Sequence, residues 1–517
     1  MILRILFPLF ILISAIISFY SFQEKKTNPA DAKTVYEQYC GSCHMLPNPS
    51  DLTKDIWKYN VLPVMAARLG ISYPDYNPLK GLNPAEVDIL KQNQYFPEQP
   101  LISQANWNLL VNYILQKAPD SVTLDSSRLY RNRNMKQFKR KDIQLYDKPG
   151  SMITGLKYDS VSKKIWIGDF SKTVLTWQLD KGIIQNIKSK SPVVDFDFHG
   201  DTTYFTEVGN LFPDELNKGS FVLSEHDSET ELLPSLHRPV HGRACDLDND
   251  GTPEIVVCNF GNKIGSLSLY KKDKATNQYV EQILLPMPGA IKFFIQDMNG
   301  DGKKDIVVLF AQGDESVYIF YQKDNLKFSP ERVLRFPPEY GTTDFVLVDY
   351  NHDHHLDIVT AHGDNADYSD ILKSFHGIRL HINDGNNHFK EKFFYPIYGA
   401  TKILADDFDQ DGDIDFAVTA FFPQFGSLLD ESFVYLENIN SQKFRFRSYI
   451  LKSDVPVKSL TMEKVDIDSD GDIDIILGLF SHSPGPVPLQ LQQKWDTANY
   501  DLTIFVNQLH NKPLTTK

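Results

Sequence analysis

The sequence predicts a mainly β chain, a seven-bladed β-propeller preceded by a small all-α domain, and three observations predict it. Beyond residue 140, short β-runs recur in groups whose spacing points to a propeller or solenoid. Five of those groups share an acidic loop of one pattern. Between residues 29 and 118, by contrast, apolar residues fall at helical spacing around a Cys-x-x-Cys-His cluster.

In chain order, the first element is MILRILFPLFILISAIISFYSFQEKK, with one early Arg, an apolar run from Ile5 to Phe22 and a charged flank. Residues 1–25 read as an export signal, either a cleaved signal peptide or an uncleaved inner-membrane anchor. Both readings place the rest of the chain in the periplasm or elsewhere outside the cytoplasm. Cys40 is the first cysteine, which argues against a lipoprotein. The full chain has 517 residues with 53 basic against 67 acidic, a net charge of −14. That balance disfavours nucleic acid or an anionic bilayer as the main partner and suits cations. Four cysteines, at 40, 43, 245 and 258, are too few for a disulfide scaffold in a chain this long.

Residues 29–118 form the predicted helical domain. Cys40-Gly41-Ser42-Cys43-His44 is the spacing that lets two thiols form thioethers to haem vinyl groups while the adjacent imidazole ligates the iron. Upstream, Val35 and Tyr39 lie four residues apart on one face of a short helix. Downstream, Trp107 to Leu115 repeats apolar residues at helical spacing and is placed to pack across it. For a sixth iron ligand, no other His lies between His44 and Asn134, and Met45 adjoins His44 too closely to reach the opposite haem face. That leaves Met65, whose His/Met pairing would raise the reduction potential. It lies only 21 residues after His44, and the alternative is a Met that fills the helical core and leaves the iron with an open position. The region resembles a small single-haem cytochrome c, which implies one covalent haem c on Cys40, Cys43 and His44.

Residues 119–141 read as a linker with a basic run, Arg128 to Lys141, that a solvated segment or an acidic docking partner would explain. Seven β-repeats then fill 142–508. The strongest carry the loops Asp246-Leu-Asp-Asn-Asp-Gly-Thr-Pro-Glu254, Asp297-Met-Asn-Gly-Asp-Gly-Lys-Lys-Asp305, Asp349-Tyr-Asn-His-Asp-His-His-Leu-Asp357, Asp407-Phe-Asp-Gln-Asp-Gly-Asp-Ile-Asp415 and Asp466-Ile-Asp-Ser-Asp-Gly-Asp-Ile-Asp474. Two weaker copies precede them, one at Gly155 to Gly168 without acids and one at Asp195 to Asp201 with part of the acid pattern. The seventh copy runs out near Gln508 without an outer strand, so an early strand is expected to complete it and close the ring.

Oxygens at positions 1, 3, 5 and 9 of such a loop, with a carbonyl from position 7, suit a calcium ion, and Gly at position 6 permits the turn. The expected ligands are Asp246, Asp248, Asp250 and Glu254; Asp297, Asn299, Asp301 and Asp305; Asp349, Asn351, Asp353 and Asp357; Asp407, Asp409, Asp411 and Asp415; Asp466, Asp468, Asp470 and Asp474. About four or five calcium ions are expected from that count. The third loop has His354 in place of Gly and should bind more weakly; its neighbours His352 and His355 read as exposed imidazoles.

With these loops, and with Asn259-Phe-Gly261 and Gln424-Phe-Gly426, residues 142–508 resemble the FG-GAP or VCBS repeats of β-propellers. The whole chain resembles exported bacterial proteins that join a cytochrome c domain to such repeats. The resemblance implies haem and calcium binding and electron transfer, with no substrate specified. The expected function is single-electron transfer to or from a redox protein or small donor, with the propeller as partner- or ligand-binding module. Two alternatives stand beside it: a propeller dehydrogenase drained by the haem, for which no quinone or nucleotide signature is present, and a surface-binding module for a glycan or protein in which the haem is accessory. Cys245 and Cys258 flank the first strong loop and could be a disulfide or two buried thiols, and His237 to Arg243 could project onto a propeller face.

Overall fold

The computed structural model describes residues 31–122, 133–225, 228–365, 371–426 and 428–510. The expected export segment and residues 128–132 of the basic run lie outside these residues. No helix among them is long and apolar enough to cross a membrane.

Seven antiparallel four-stranded sheets form a ring. In each, strand A lies innermost and D outermost. The A strands are Ile153–Asp159, Val193–His199, Pro239–Cys245, Ala290–Gln296, Thr342–Val348, Ala400–Asp406 and Ser459–Val465, for blades 1 to 7. Strand B is the most buried. In blades 3 to 7 every residue of Glu254–Asn259, Asp305–Phe310, Asp357–His362, Asp415–Ala420 and Asp474–Leu479 is buried. Neighbouring blades cover both faces of these strands, so they read as continuous apolar runs such as Ile306-Val-Val-Leu-Phe310. The outer strands, such as Tyr279–Leu285, are largely exposed. The core is therefore a series of apolar layers between blades: Val256, Leu267 and Leu269 of blade 3 pack with Phe293, Ile306 and Val308 of blade 4.

Ring closure occurs as expected, with an earlier start. Strand D of blade 7 is Phe138–Ile143, paired antiparallel with Leu502–Asn507 from Phe138 opposite Asn507 to Ile143 opposite Leu502. Its first four residues fall inside the segment read as linker, where basic side chains on the outward face disguise a strand. Arg140 of that run donates to Val455 O at 2.8 Å and to the Tyr500 hydroxyl at 3.1 Å. Just upstream, Arg133–Asn134 adds a short parallel strand to blade 6.

Two of the three acids of the second weak copy are not in a loop. Asp195 and Asp197 lie in strand A of blade 2, and only Gly200 and Asp201 turn the hairpin. They belong to a ring of alternating charge around the axis. Asp195 meets Arg243 and also His241, at 3.0 Å; Lys292 meets Asp344 at 3.0 Å; Lys157 meets Glu463 at 3.7 Å. Burial alone would raise the Asp195 carboxyl, but Arg243 and His241 hold it well below the usual carboxylate range. Burial pushes the His241 imidazole down to about 4, so Arg243 carries the positive charge. His241 and Arg243 thus face the axis and not an outer propeller face.

Cys245 pairs with Glu254 and Cys258 with His241, at opposite ends of one hairpin, and both thiols are free. The disulfide option is thereby set aside.

Residues 31–118 form a helical unit. Its helices Ala32–Cys40 and Gln104–Lys117 agree with the two expected, and they pack through Tyr36 and Tyr113, whose rings are 5.1 Å apart. Further helical segments between them, including Leu62–Arg68 and Pro84–Gln92, complete a core around Trp57, Leu62, Trp107 and Leu110.

Candidate functional site

The five acidic loops all join strand A to strand B, which puts them on one face of the ring. Position 1 organises each loop. Asp246 accepts from the Asp250 and Gly251 backbones at 3.0 and 2.9 Å, and the loops starting at Asp349, Asp407 and Asp466 repeat that pair of bonds. Asp297 instead accepts from Gly300 and Gly302, both at 2.8 Å. Position 5 in all five accepts from the backbone of position 7.

Positions 4 and 6 are left-handed in every loop, with φ of +59° and +86° at Asn249 and Gly251, and +57° and +69° at His352 and His354. His354 therefore occupies a conformation that favours glycine, a cost its loop carries whatever it binds.

Position 9 opens strand B and is buried: Glu254 is 1% exposed and Asp305, Asp357, Asp415 and Asp474 are 0%. Its carboxylate ties the loop to the blade. Asp474 accepts from Ile467 N at 2.9 Å and from Asn507 N, on strand C, at 2.7 Å. Asp305 and Asp357 make the equivalent pair of bonds; in blade 6 the Tyr435 hydroxyl, at 2.6 Å, replaces the position 2 donor. Burial raises these groups, Asp357 to about 6 and Asp415 and Asp474 to about 8.

Three loops bring acids together with ligand atoms within 4.8 Å of one another: Asp246, Asp248 and Asp250; Asp407, Asp409 and Asp411; Asp466, Asp468 and Asp474. The donor set fits a cation because some of its oxygens have nothing else to bind. Both carboxylate oxygens of Asp468 and Oδ1 of Asp248 are buried without a hydrogen-bond partner. Burial and then the neighbouring Asp411 push Asp409 up to about 6. In the other two loops the position 3 residue is an amide that donates to position 5, Asn299 to Asp301 at 3.3 Å and Asn351 to Asp353 at 2.8 Å. Sequence reasoning missed the lysines of blade 3: Lys271 bonds Asp248 and lies 3.6 Å from Glu254, and Lys274 lies 3.3 Å from Asp250. They neutralise part of that loop, and their spacing from it along the sequence gave no sign of the contact.

The Cys40 to His44 segment continues directly from a helix. Asp31 caps its N-terminus by accepting from Lys33 N at 3.3 Å, and Gly41 ends it where a Cβ would meet Glu37 O at 2.7 Å. Cys40 is partly buried against the helical core, and burial pushes its thiol up to about 12; Cys43 is exposed. His44 Nδ1 lies 2.8 Å from Met45 O. A carbonyl partner fixes the proton on Nδ1 and leaves the Nε2 lone pair for a metal. Met65, on the helix Leu62–Arg68, packs partly buried against the same apolar cluster as Cys40. These residues fit a covalent haem in donor type, thiol availability and tautomer.

The helical unit rests on the propeller face opposite the acidic loops, over connections between strands B and C and between D and A. Asn48 N donates to Glu339 Oε1 at 3.1 Å and Glu215 N donates to Glu86 Oε1 at 3.2 Å. Ile371 packs on the helical core. Burial of Glu339 raises its carboxyl to about 7. His237, on the same face, lies 3.3 Å from Glu215.

On that face a cleft of about 750 Å³ opens at the seam of blades 7 and 1. The segment Tyr146 to Met152 forms one wall, and the long blade 7 connection with its helix Leu489–Thr497 forms another. Its lining mixes carboxylates (Asp169, Asp496) with aromatic rings (Tyr146, Phe170).

An FG-GAP-like repeat model matches residues 246–308 and 297–360, from the acidic loop of blade 3 to strand B of blade 5. The chain therefore carries FG-GAP-like repeats within a seven-bladed propeller. No curated protein matches it. Solved structures similar to it include the N-terminal domain of Nup159, at 10% identity and TM-score 0.41 over 72% of this chain and 96% of that one. The Pan2 WD40 domain of Neurospora crassa has 13% identity and TM-score 0.44 over 74% of this chain and 99% of that one. The RRP9 WD40 repeats have 10% identity and TM-score 0.42 over 71% and 97%.

Proposed function

We propose that the chain is an exported c-type cytochrome that transfers single electrons, with its calcium-stabilised propeller as a partner- or ligand-binding module. The observation that carries this reading is the Cys40 to His44 segment: two free thiols at the end of a helix and an imidazole whose Nε2 is left open by the Nδ1 contact with Met45 O. A haem held there supplies one-electron redox chemistry. Cys40 and Cys43 would anchor it covalently, His44 is oriented through its backbone partner, and the apolar cluster of Tyr36, Trp57 and Trp107 keeps water from the buried side. Met65 would be the further residue to hold the iron in this reading. On the opposite face the clustered carboxylates would hold calcium, which would neutralise them and fix the loops between strands A and B.

The test is the visible and magnetic circular dichroism spectrum of protein from a host that matures c-type cytochromes, for wild type and Met65→Ala. A low-spin His/Met signature lost in the variant is the expected result. A high-spin wild type sinks the Met65 assignment, and absence of covalent haem sinks the reading itself.

A second reading, a ligand-binding module in which haem is accessory, is favoured by the cleft at the blade 7 and blade 1 seam. Its carboxylates and aromatic rings suit a neutral polyhydroxylated ligand better than an anion. Saturable binding of soluble oligosaccharides that survives loss of haem would support it.

A further inference from the structure

Blade 7 differs from the other blades in the segment beyond its last strand. After Asn507 the chain turns back across the acidic loop. His510 N donates to Asp472 Oδ2 at 3.1 Å, and His510 Nδ1 lies 3.2 Å from Asp470 O. Asp472 is position 7 of the loop, where the calcium pattern asks only for a backbone carbonyl, so the repeat gives its side chain no task. Yet that side chain is 0% exposed, and its Oδ1 has no hydrogen-bond partner. A buried, unpaired carboxylate oxygen is costly unless a cation or proton meets it. Ligand atoms of Asp470, Asp472 and His510 all lie within 4.8 Å of one another.

We infer that Asp470, Asp472 and His510 form a second metal site, distinct from the repeat's own calcium position, that takes a divalent transition ion such as zinc. The chemistry selects the ion. An imidazole beside two carboxylates suits zinc and its neighbours, whereas calcium takes oxygen ligands. Three protein ligands leave the fourth tetrahedral position to water. Asp470 is shared: it is position 5 of the calcium pattern, and with two oxygens it can bridge the two sites. The Nδ1 contact of His510 with a backbone carbonyl leaves its Nε2 as the acceptor nitrogen. Blade 6 supplies a built-in comparison: Asp413 also occupies position 7, but it joins no metal-ligand cluster among the described residues, and the histidine that reaches that loop, His352, meets the Gly412 carbonyl at 2.8 Å.

The site belongs to the end of the chain. Occupied, it would pin the turn after Leu502–Asn507, the strand on which the closing strand Phe138–Ile143 pairs. The inference does not depend on the calcium reading, since the three residues and the unpaired oxygen stand without it.

The test is equilibrium dialysis of the full, haem-loaded chain against micromolar zinc in excess calcium, with bound zinc and calcium counted by mass spectrometry. Wild type, His510→Ala, Asp472→Asn and Asp413→Asn are compared. Haem loading removes the free thiols of Cys40 and Cys43 as competitors, and comparison between variants cancels any zinc on His352, His354 and His355. His510→Ala and Asp472→Asn should each lose one zinc equivalent with calcium unchanged, while Asp413→Asn keeps the wild-type count. His510 is exposed, so its variant remains informative should Asp472→Asn fold poorly. Equal zinc in wild type and His510→Ala overturns the inference. Loss of calcium in place of zinc in His510→Ala also overturns it and leaves the calcium reading standing. A missing calcium count with the zinc difference intact would do the reverse.

Discussion

Glu339 couples the helical unit to the propeller through a group that titrates near neutrality. Its Oε1 accepts from Asn48 N at 3.1 Å, Oε2 is buried without a partner, and burial raises the carboxyl from 4.5 to about 7. The folded state therefore holds this proton where the unfolded chain has lost it. Stability is intact below about pH 4.5, falls as pH rises, and has lost the full amount above about pH 7. A shift of about 2.5 units at 1.36 kcal/mol each amounts to roughly 3 kcal/mol. Glu339→Gln keeps an oxygen for Asn48 and cannot ionise. The variant should match wild type near about pH 4.5 and exceed it by up to roughly 3 kcal/mol at about pH 8.5. Urea unfolding followed by tryptophan fluorescence reads this directly, because Trp57 and Trp107 report on the helical unit. A variant no more stable than wild type at the higher pH, or a difference that does not change with pH, would refute the reasoning.

Three further outcomes are expected. With calcium on the loops as proposed, its chelation should lower the melting temperature, most steeply at alkaline pH, where Asp415 and Asp474 must ionise from raised values of about 8 with no cation beside them; differential scanning calorimetry with and without chelator checks this. Phe138→Ala removes a buried ring that lies 5.9 Å from Phe408 and 5.2 Å from Tyr435, and should cost about 3–5 kcal/mol in chemical unfolding. Gly261→Ala should abolish folding or sharply reduce soluble yield, because an added Cβ would lie 1.4 Å from Ile264 O, a backbone atom.

Much of this architecture is legible in the sequence because burial on both faces leaves its mark on strand B. Runs such as Ile306-Val-Val-Leu-Phe310 come after each acidic loop, and the loops set the phase of the repeat. The two helices around Cys40 to His44 were legible from spacing alone. The axis was not. Asp195, Asp197, Lys292 and Asp344 sit on inner strands, yet a polar residue in a strand reads as solvent-facing unless its partner on the next blade is known. Acids at 195 and 197 even imitate the start of a loop, although both lie within the strand. The contacts of Lys271 with Asp248 and of His510 with Asp472 were hidden for a related reason, since both arise where separate segments of a blade converge on one loop.

The closing strand has a temporal consequence. Thr503 donates to Asp142 across 361 residues of sequence. The strand that seals the ring leaves the ribosome long before its partner Leu502–Asn507 is made, and it must wait with its edge bare through the synthesis of every blade. A chain that ends early, at any point before residue 502, has no way to seal, whatever the soundness of its finished blades. Such a product exposes two unpaired edges. The join between these two strands thus acts as a length check, passed only by a copy that extends through Leu502–Asn507.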